Sequence, residues 1–123
     1  PEKKLHIVDY KATSKAGEIV LEDTKWHNQY RRQMEIYQWL FRRNNFDISD
    51  TGYFVYVNGR KDLEAFDGKL EFTLKIIPYK GKDDWVEGVL FEMKEVLSGD
   101  TPPAPKSDCP FCIYRASISS LNL

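Results

Sequence analysis

A chain of 123 residues suits one domain rather than two full-sized ones. Its 41% hydrophobic and 14% aromatic content can build a core, which excludes disorder as the general state, and no apolar run approaches the roughly 20 residues of a membrane span. The net charge of −1 divides into +2 over residues 1–60 and −3 over residues 61–123, compatible with a phosphate-bearing partner without requiring one. The opening Pro1-Glu2-Lys3-Lys4 has no apolar stretch behind it, so it is not read as a signal peptide. A start on Pro rather than Met reads as a fragment. Two cysteines three positions apart, Cys109 and Cys112, cannot staple a fold, which argues against a secreted disulfide scaffold and for a reducing cytoplasm.

In chain order, residues 5–11 predict a strand, with Leu5, Ile7, Asp9 and Lys11 on one face and His6, Val8 and Tyr10 on the other. Residues 12–16 are small and polar and read as a loop; residues 17–22 read as a short extended piece. Asp23 or Thr24 is placed to cap a helix running to about Arg43. Its apolar positions, Trp26, Tyr30, Met34, Tyr37, Leu40 and Phe41, recur at helical spacing and predict one buried face.

Residues 53–57 are apolar on both faces, the pattern of a central strand covered on both sides, and Asn58-Gly59 reads as a turn. Residues 70–77 alternate, with Leu70, Phe72, Leu74 and Ile76 expected inward and Glu71, Thr73 and Lys75 outward, as in a half-buried strand near an edge. Asp83 or Asp84 caps a second helix with Trp85, Val89, Met93 and Val96 toward the core, stopped by Ser98-Gly99. Residues 101–105 form a stiff proline-rich connector, followed by a short tail. The fold class is therefore α/β, a mixed β-sheet flanked by helices. The expected division is a core over residues 1–100 and a connector with its C-x-x-C tail over residues 101–123.

Asp9-Tyr10-Lys11 is the most informative segment. Strand residues i and i+2 share a face roughly 6.5–7 Å apart. A carboxylate and an ammonium therefore point together at the end of an apolar strand. Hard divalent cations take carboxylate oxygens and keep several waters. A neighbouring Lys can hold an attacking water and offset charge building on a phosphoryl group. The competing reading is a salt-bridged pair at a strand end. On the following helix, Gln33 and Tyr37 are one turn apart and stack on one face. A Gln amide can bond a phosphate, a metal-bound water or a backbone group, and a Tyr can pack its ring while presenting a hydroxyl.

Together, residues 5–13, ending in Asp9-Tyr10-Lys11-Ala12-Thr13, and the Gln33-Met34-Glu35-Ile36-Tyr37 helix resemble the PD-(D/E)XK nuclease superfamily, in its RecB-like branch. The hallmarks are an apolar strand ending in D-Y-K and a following Q-x-x-x-Y helix, in that order. The resemblance implies a partial restriction-endonuclease-like core and a Mg²⁺- or Mn²⁺-dependent deoxyribonuclease acting in DNA processing or repair, such as an exonuclease. It implies Asp9 and the backbone carbonyl of Tyr10 as metal ligands and Lys11 as the residue that positions water. Gln33 and Tyr37 would support the site and contact DNA. The branch also carries a second acidic ligand on a preceding strand, which this sequence does not hold, so the chain is expected to lack the first helix and strand and to be inactive alone. Lys15, Arg31 and Arg32, with Lys25, Arg42 and Arg43, form a possible DNA-backbone groove whose competing reading is a solvated helix face. The expected partners are DNA and a fused or associated helicase or a second copy, and no membrane.

Some RecB-like nucleases end in C-x-x-C-x5-C and hold an iron–sulfur cluster with four thiolates. Here Ile118 occupies the third position, so no cluster is expected, and the tail reads as a relic or a Zn half-site. Cys109-Pro110-Phe111-Cys112 also looks like a redox dithiol. That chemistry wants the first Cys at a helix N-terminus, and Asp108 would raise its pKa. His27 reads as a surface side chain and Asp83-Asp84 as a cap. The alternative function is a non-catalytic DNA-binding or assembly module with the nuclease fold.

Overall fold

Three strands and three helices follow one another as β1 (Val8–Thr13), α1 (Lys25–Arg43), β2 (Thr51–Gly59), β3 (Phe72–Lys80), α2 (Val86–Ser98) and α3 (Pro110–Ser119). This computed structural model describes residues 3–22, 24–65 and 67–120. The sheet is mixed, in the order β1-β2-β3, with β1 parallel and β3 antiparallel to the central β2. The expected α/β class and the central place of β2 both hold. Contacts divide the chain into two compact units, Pro1–Glu87 and Gly88–Leu123.

In the first unit, α1 begins at Thr24, whose hydroxyl accepts the His27 N–H at 3.3 Å. The alternative cap, Asp23, lies outside the described residues. The helix closes at Asn44, with Arg42 and Arg43 in the last turn, where cations suit the helix dipole. Its Met34 packs with Phe54 and Tyr56 of β2 and with Ile19, and Ile7, Leu21, Tyr30, Ile77 and Tyr79 surround this core. No strand forms over residues 17–22, expected as a short extended piece; the segment is docked by the apolar side chains of Ile19 and Leu21, by the Glu18–Lys75 ion pair and by Arg31 bonding the Leu21 and Glu22 carbonyls.

The buried face of α1 differs from the expected one. Met34, Glu35 and Gln38 are its buried residues, whereas Trp26, Leu40 and Phe41 are exposed. The polar pair is buried because it satisfies backbone at strand ends. Gln38 Nε2 donates to Ser49 O and Asp50 O at 3.3 and 2.8 Å. Glu35 accepts from the Tyr79 hydroxyl at 2.6 Å, Trp85 Nε1 at 2.7 Å and the Lys82 N–H at 3.2 Å. Trp85 thus serves as an anchor before α2 rather than as part of that helix's face.

The strands are longer or shifted relative to expectation. β1 starts at Val8 and runs to Thr13, because β2 does not turn at Asn58 and Gly59 but continues, pairing Asn58 with Thr13 and Gly59 with Phe72 of β3. Leu5 makes a separate parallel bridge to Ile48. β3 extends to Lys80 and contains Pro78, tolerated on an edge strand where no ladder donor is needed.

The largest departure concerns the sheet face away from α1. Phe72, Leu74 and Ile76 are 58%, 61% and 57% exposed, with Val8 and Tyr10 open on β1. Among the described residues of the first unit, β2 is therefore covered by a helix on one face only. On the other, Val55 is shielded by its strand neighbours, standing in register with Tyr10 and Ile76. In the second unit, α2 exposes Val89, Met93, Val96 and Leu97 rather than burying them. The tail expected after the connector is a helix, α3, because Pro110 at its first turn presets the helical φ.

Candidate active site

Alternation along β1 turns Asp9 and Lys11 toward α1, where their side chains are 14% and 16% exposed, while Tyr10 points to the open face. Lys11 Nζ lies 2.8 Å from Asp9 Oδ2 and donates to Gln33 Oε1 at 2.7 Å. Gln33 Nε2 donates in turn to the Tyr37 hydroxyl at 2.7 Å. The four residues singled out in the sequence thus form one continuous chain of polar contacts joining β1 to α1. Lys11 Nζ also sits 4.3 Å above the Tyr30 ring, a cation–π contact that holds the ammonium from below.

Two buried oxygens beside Lys11 lack a hydrogen-bond partner among the described residues: Asp9 Oδ2 and the Tyr56 hydroxyl. Asp9 Oδ2 is close to the ammonium but off the hydrogen-bonding direction, so its attraction to Lys11 is ionic. Tyr56 is the register partner of Lys11 on β2. Burial pushes its hydroxyl pKa up, and Tyr30 and the Asp9 carboxylate add to that shift. Lys11, Lys15, Trp26, His27, Tyr30 and Tyr56 are among the residues lining a cavity of about 130 Å³. This is smaller than the roughly 300–1,000 Å³ of a drug-sized ligand's pocket.

Tyr30 and Tyr56 read in the sequence as core, and neither spacing nor residue type sets them apart from core aromatics. The signal for Tyr30 is its place three residues before Gln33 on the same helix face. Tyr56 becomes part of the site only through the parallel register of β1 and β2.

The basic residues are not equivalent. Arg31 donates to Asn28 Oδ1 at 2.6 Å and to the carbonyls of Leu21 and Glu22 at 3.0 and 3.1 Å, pinning the preceding loop to α1. Arg42 bridges Asp50 and Asp83, each at 2.7 Å, and Arg43 pairs with Glu87. Lys15 is held by its backbone, which exchanges two hydrogen bonds with the Asn58 side chain at 2.8 and 2.9 Å, while its ammonium is half-exposed. Arg32 and Lys25 are exposed on α1. His6, which precedes β1, is exposed and its Nδ1 is hydrogen-bonded to Thr51 O at 2.7 Å.

A family model described as the PD-(D/E)XK nuclease superfamily matches residues 1–117. The chain belongs to this superfamily. No curated protein and no solved structure matched it significantly. Membership makes nuclease activity the general expectation for this PD-(D/E)XK chain, with DNA as the substrate and a divalent metal such as Mg²⁺ as the usual cofactor. Asp9 fits such a cation in kind, being a hard oxygen donor with a buried oxygen that no hydrogen bond satisfies. Among the described residues, no group of three or more His, Cys, Asp or Glu side chains could hold a metal ion.

Proposed function

We propose that this PD-(D/E)XK chain carries the catalytic strand and helix of a RecB-like, Mg²⁺- or Mn²⁺-dependent deoxyribonuclease. The observation that carries this reading is the unbroken Asp9–Lys11–Gln33–Tyr37 chain of contacts. Asp9, with the Tyr10 carbonyl, would hold the metal. When bound, that ion supplies Lewis-acid stabilisation of the phosphodiester and a more acidic water. Lys11 positions the attacking water and balances negative charge as it builds on the phosphoryl oxygens. Gln33 orients Lys11 by accepting a hydrogen bond from its ammonium, and Tyr37 fixes the Gln33 amide by accepting one from its Nε2. Lys15 and Arg32, exposed near the site, are the side chains assigned to the DNA backbone. Arg31 acts indirectly, by holding the loop that precedes α1.

One carboxylate is a weak anchor for a divalent ion, so a second acid is assigned to residues outside those described. That donor count also favours a specific second reading, a nuclease-fold module that binds DNA without turnover. Cleavage of linear DNA with Mn²⁺ separates the two. The comparison uses the protein carrying this sequence with its natural flanking residues, its Asp9→Ala variant and this chain alone. Cleavage by the first only supports the nuclease and the need for an outside ligand. A folded protein that binds DNA but cleaves no form of it, with either metal, supports the binding module.

A further inference from the structure

Trp26 has no part in the chemistry proposed above. It stands second on α1 and is 68% exposed. Trp26, Tyr30, Gln33 and Tyr37 follow one another at steps of four, three and four, which sets them along one stripe of the helix. The last three hold Lys11 or its support. Trp26 carries that stripe one turn further, about 6 Å along the axis from Tyr30. It also lines the same cavity as Lys11 and Lys15.

The other rings of that cavity are engaged. The Lys11 ammonium covers Tyr30. His27 lies tilted against Tyr30 at 6.2 Å, and its Nδ1 accepts the Glu22 N–H at 3.0 Å. Tyr56 is buried. Trp26 is the ring left open to solvent. The charges beside it are mostly basic and accessible. Lys25 is exposed at the neighbouring position. Lys15 Nζ stands 3.9 Å from Glu22 Oε2 with both side chains half-exposed, a loose pair that a phosphate can displace. An open aromatic face beside mobile cations is the pattern that holds nucleic acid single strands, the cations tracking the backbone and the ring stacking on a base. In a duplex the base faces are covered by their stacked neighbours, so the ring selects an unpaired base.

We propose that Trp26 is a stacking platform for an unpaired base of a DNA strand whose phosphate lies at Lys11, so that the site takes single strands in preference to intact duplex. A stacked strand advances about 3.4 Å per nucleotide, so the turn of α1 between Tyr30 and Trp26 is bridged within two nucleotides. Stacking of this kind accepts any base. The inference rests on the DNA reading of the Lys11 site, but not on turnover there.

The test measures binding by the intact chain without divalent metal, so cleavage plays no part. Fluorescence anisotropy at one fixed salt concentration follows three labelled probes: a short oligothymidylate, the same backbone with abasic positions, and a duplex of equal length. Trp26→Ala should weaken oligothymidylate binding about tenfold, and Trp26→Phe should restore most of it. Binding of the abasic strand and of the duplex should change less than about twofold, since their contacts are to phosphates. Oligothymidylate, but not the abasic strand, should quench the part of the tryptophan emission that Trp26→Phe lacks. Circular dichroism should show Trp26→Ala folded. A wild type and Trp26→Ala that bind oligothymidylate equally overturn the platform and leave the nuclease reading standing. An equal loss on the abasic strand overturns it too, because the effect then does not come from a base. Unchanged affinity with a lower mass for Trp26→Ala by light scattering gives the ring to a second copy of the chain instead. A wild type that binds none of the three probes overturns both readings. Trp26-dependent binding without cleavage in any metal upholds the platform and removes the turnover.

Discussion

Lys11 is the side chain on which the site turns, because it touches Asp9, Gln33 and the Tyr30 ring at once. Lys11→Ala should lower DNA cleavage at least about 100-fold, the usual scale for losing a charge-stabilising or proton-handling group. Circular dichroism should show the fold retained; retained cleavage would remove Lys11 from the mechanism. Gln33→Ala should cost less than Asp9→Ala, since Gln33 orients Lys11 whereas Asp9 is assigned to the metal. Equal activities of Asp9→Ala and wild type would sink the metal assignment. Tyr56 gives a stability test of the same site. Its buried hydroxyl has no hydrogen-bond partner among the described residues, and an unsatisfied buried donor costs about 1–3 kcal/mol. Tyr56→Phe should therefore leave stability unchanged or raise it in urea denaturation; a clear loss would show that the hydroxyl has a partner in solution.

At the level of elements, the D-Y-K strand and the Q-x-x-x-Y helix were legible because their signals are local. A two-residue period turns Asp9 and Lys11 together, and a four-residue step stacks Gln33 on Tyr37. What was not legible depends on pairing between distant segments. Glu35 and Gln38 look like polar residues bordering an apolar stripe, yet they are buried because Tyr79, Trp85 and open strand-end carbonyls meet them there. Tyr56 joins the site only through strand register, and α3 was hidden behind a proline that reads equally as a connector's end. The Glu35–Tyr79 contact also sets a pH dependence. Burial, and then the Glu35 carboxylate, push the Tyr79 hydroxyl up from 10.0 to about 12. Since the folded value is raised, the unfolded chain loses this proton first. The contribution is complete below pH 10 and is lost as pH rises toward 12. Tyr79→Phe should flatten the loss of stability across that alkaline window in pH-dependent urea melts; an unchanged slope would assign the loss to other groups.

For the molecule as a whole, the sheet is one-sided within the first unit. Phe54 lies wholly buried under α1, while Leu74 and Ile76 on the other face stand open although their residue types suit a core. The alternation in residues 70–77 correctly marks two unlike faces, but the strand's apolar set faces away from the helix. Lys75 and Ile77 share the helix side instead, with Lys75 paired to Glu18. Apolar alternation tells which residues share a face, not which face a helix will cover, and that choice rests with the packing of Met34 on Phe54. The consequence is measurable in this chain. Phe54→Ala removes a fully buried ring and should cost about 3–5 kcal/mol, whereas Ile76→Ser removes little buried area and should cost under about 1 kcal/mol. Chemical denaturation of the two variants beside the wild type checks the contrast. Comparable losses would mean that the open face is covered in solution, by another copy or by the chain itself. Repeating the Ile76→Ser melt across a range of protein concentrations then separates those two, because only cover by a second copy makes the loss depend on concentration.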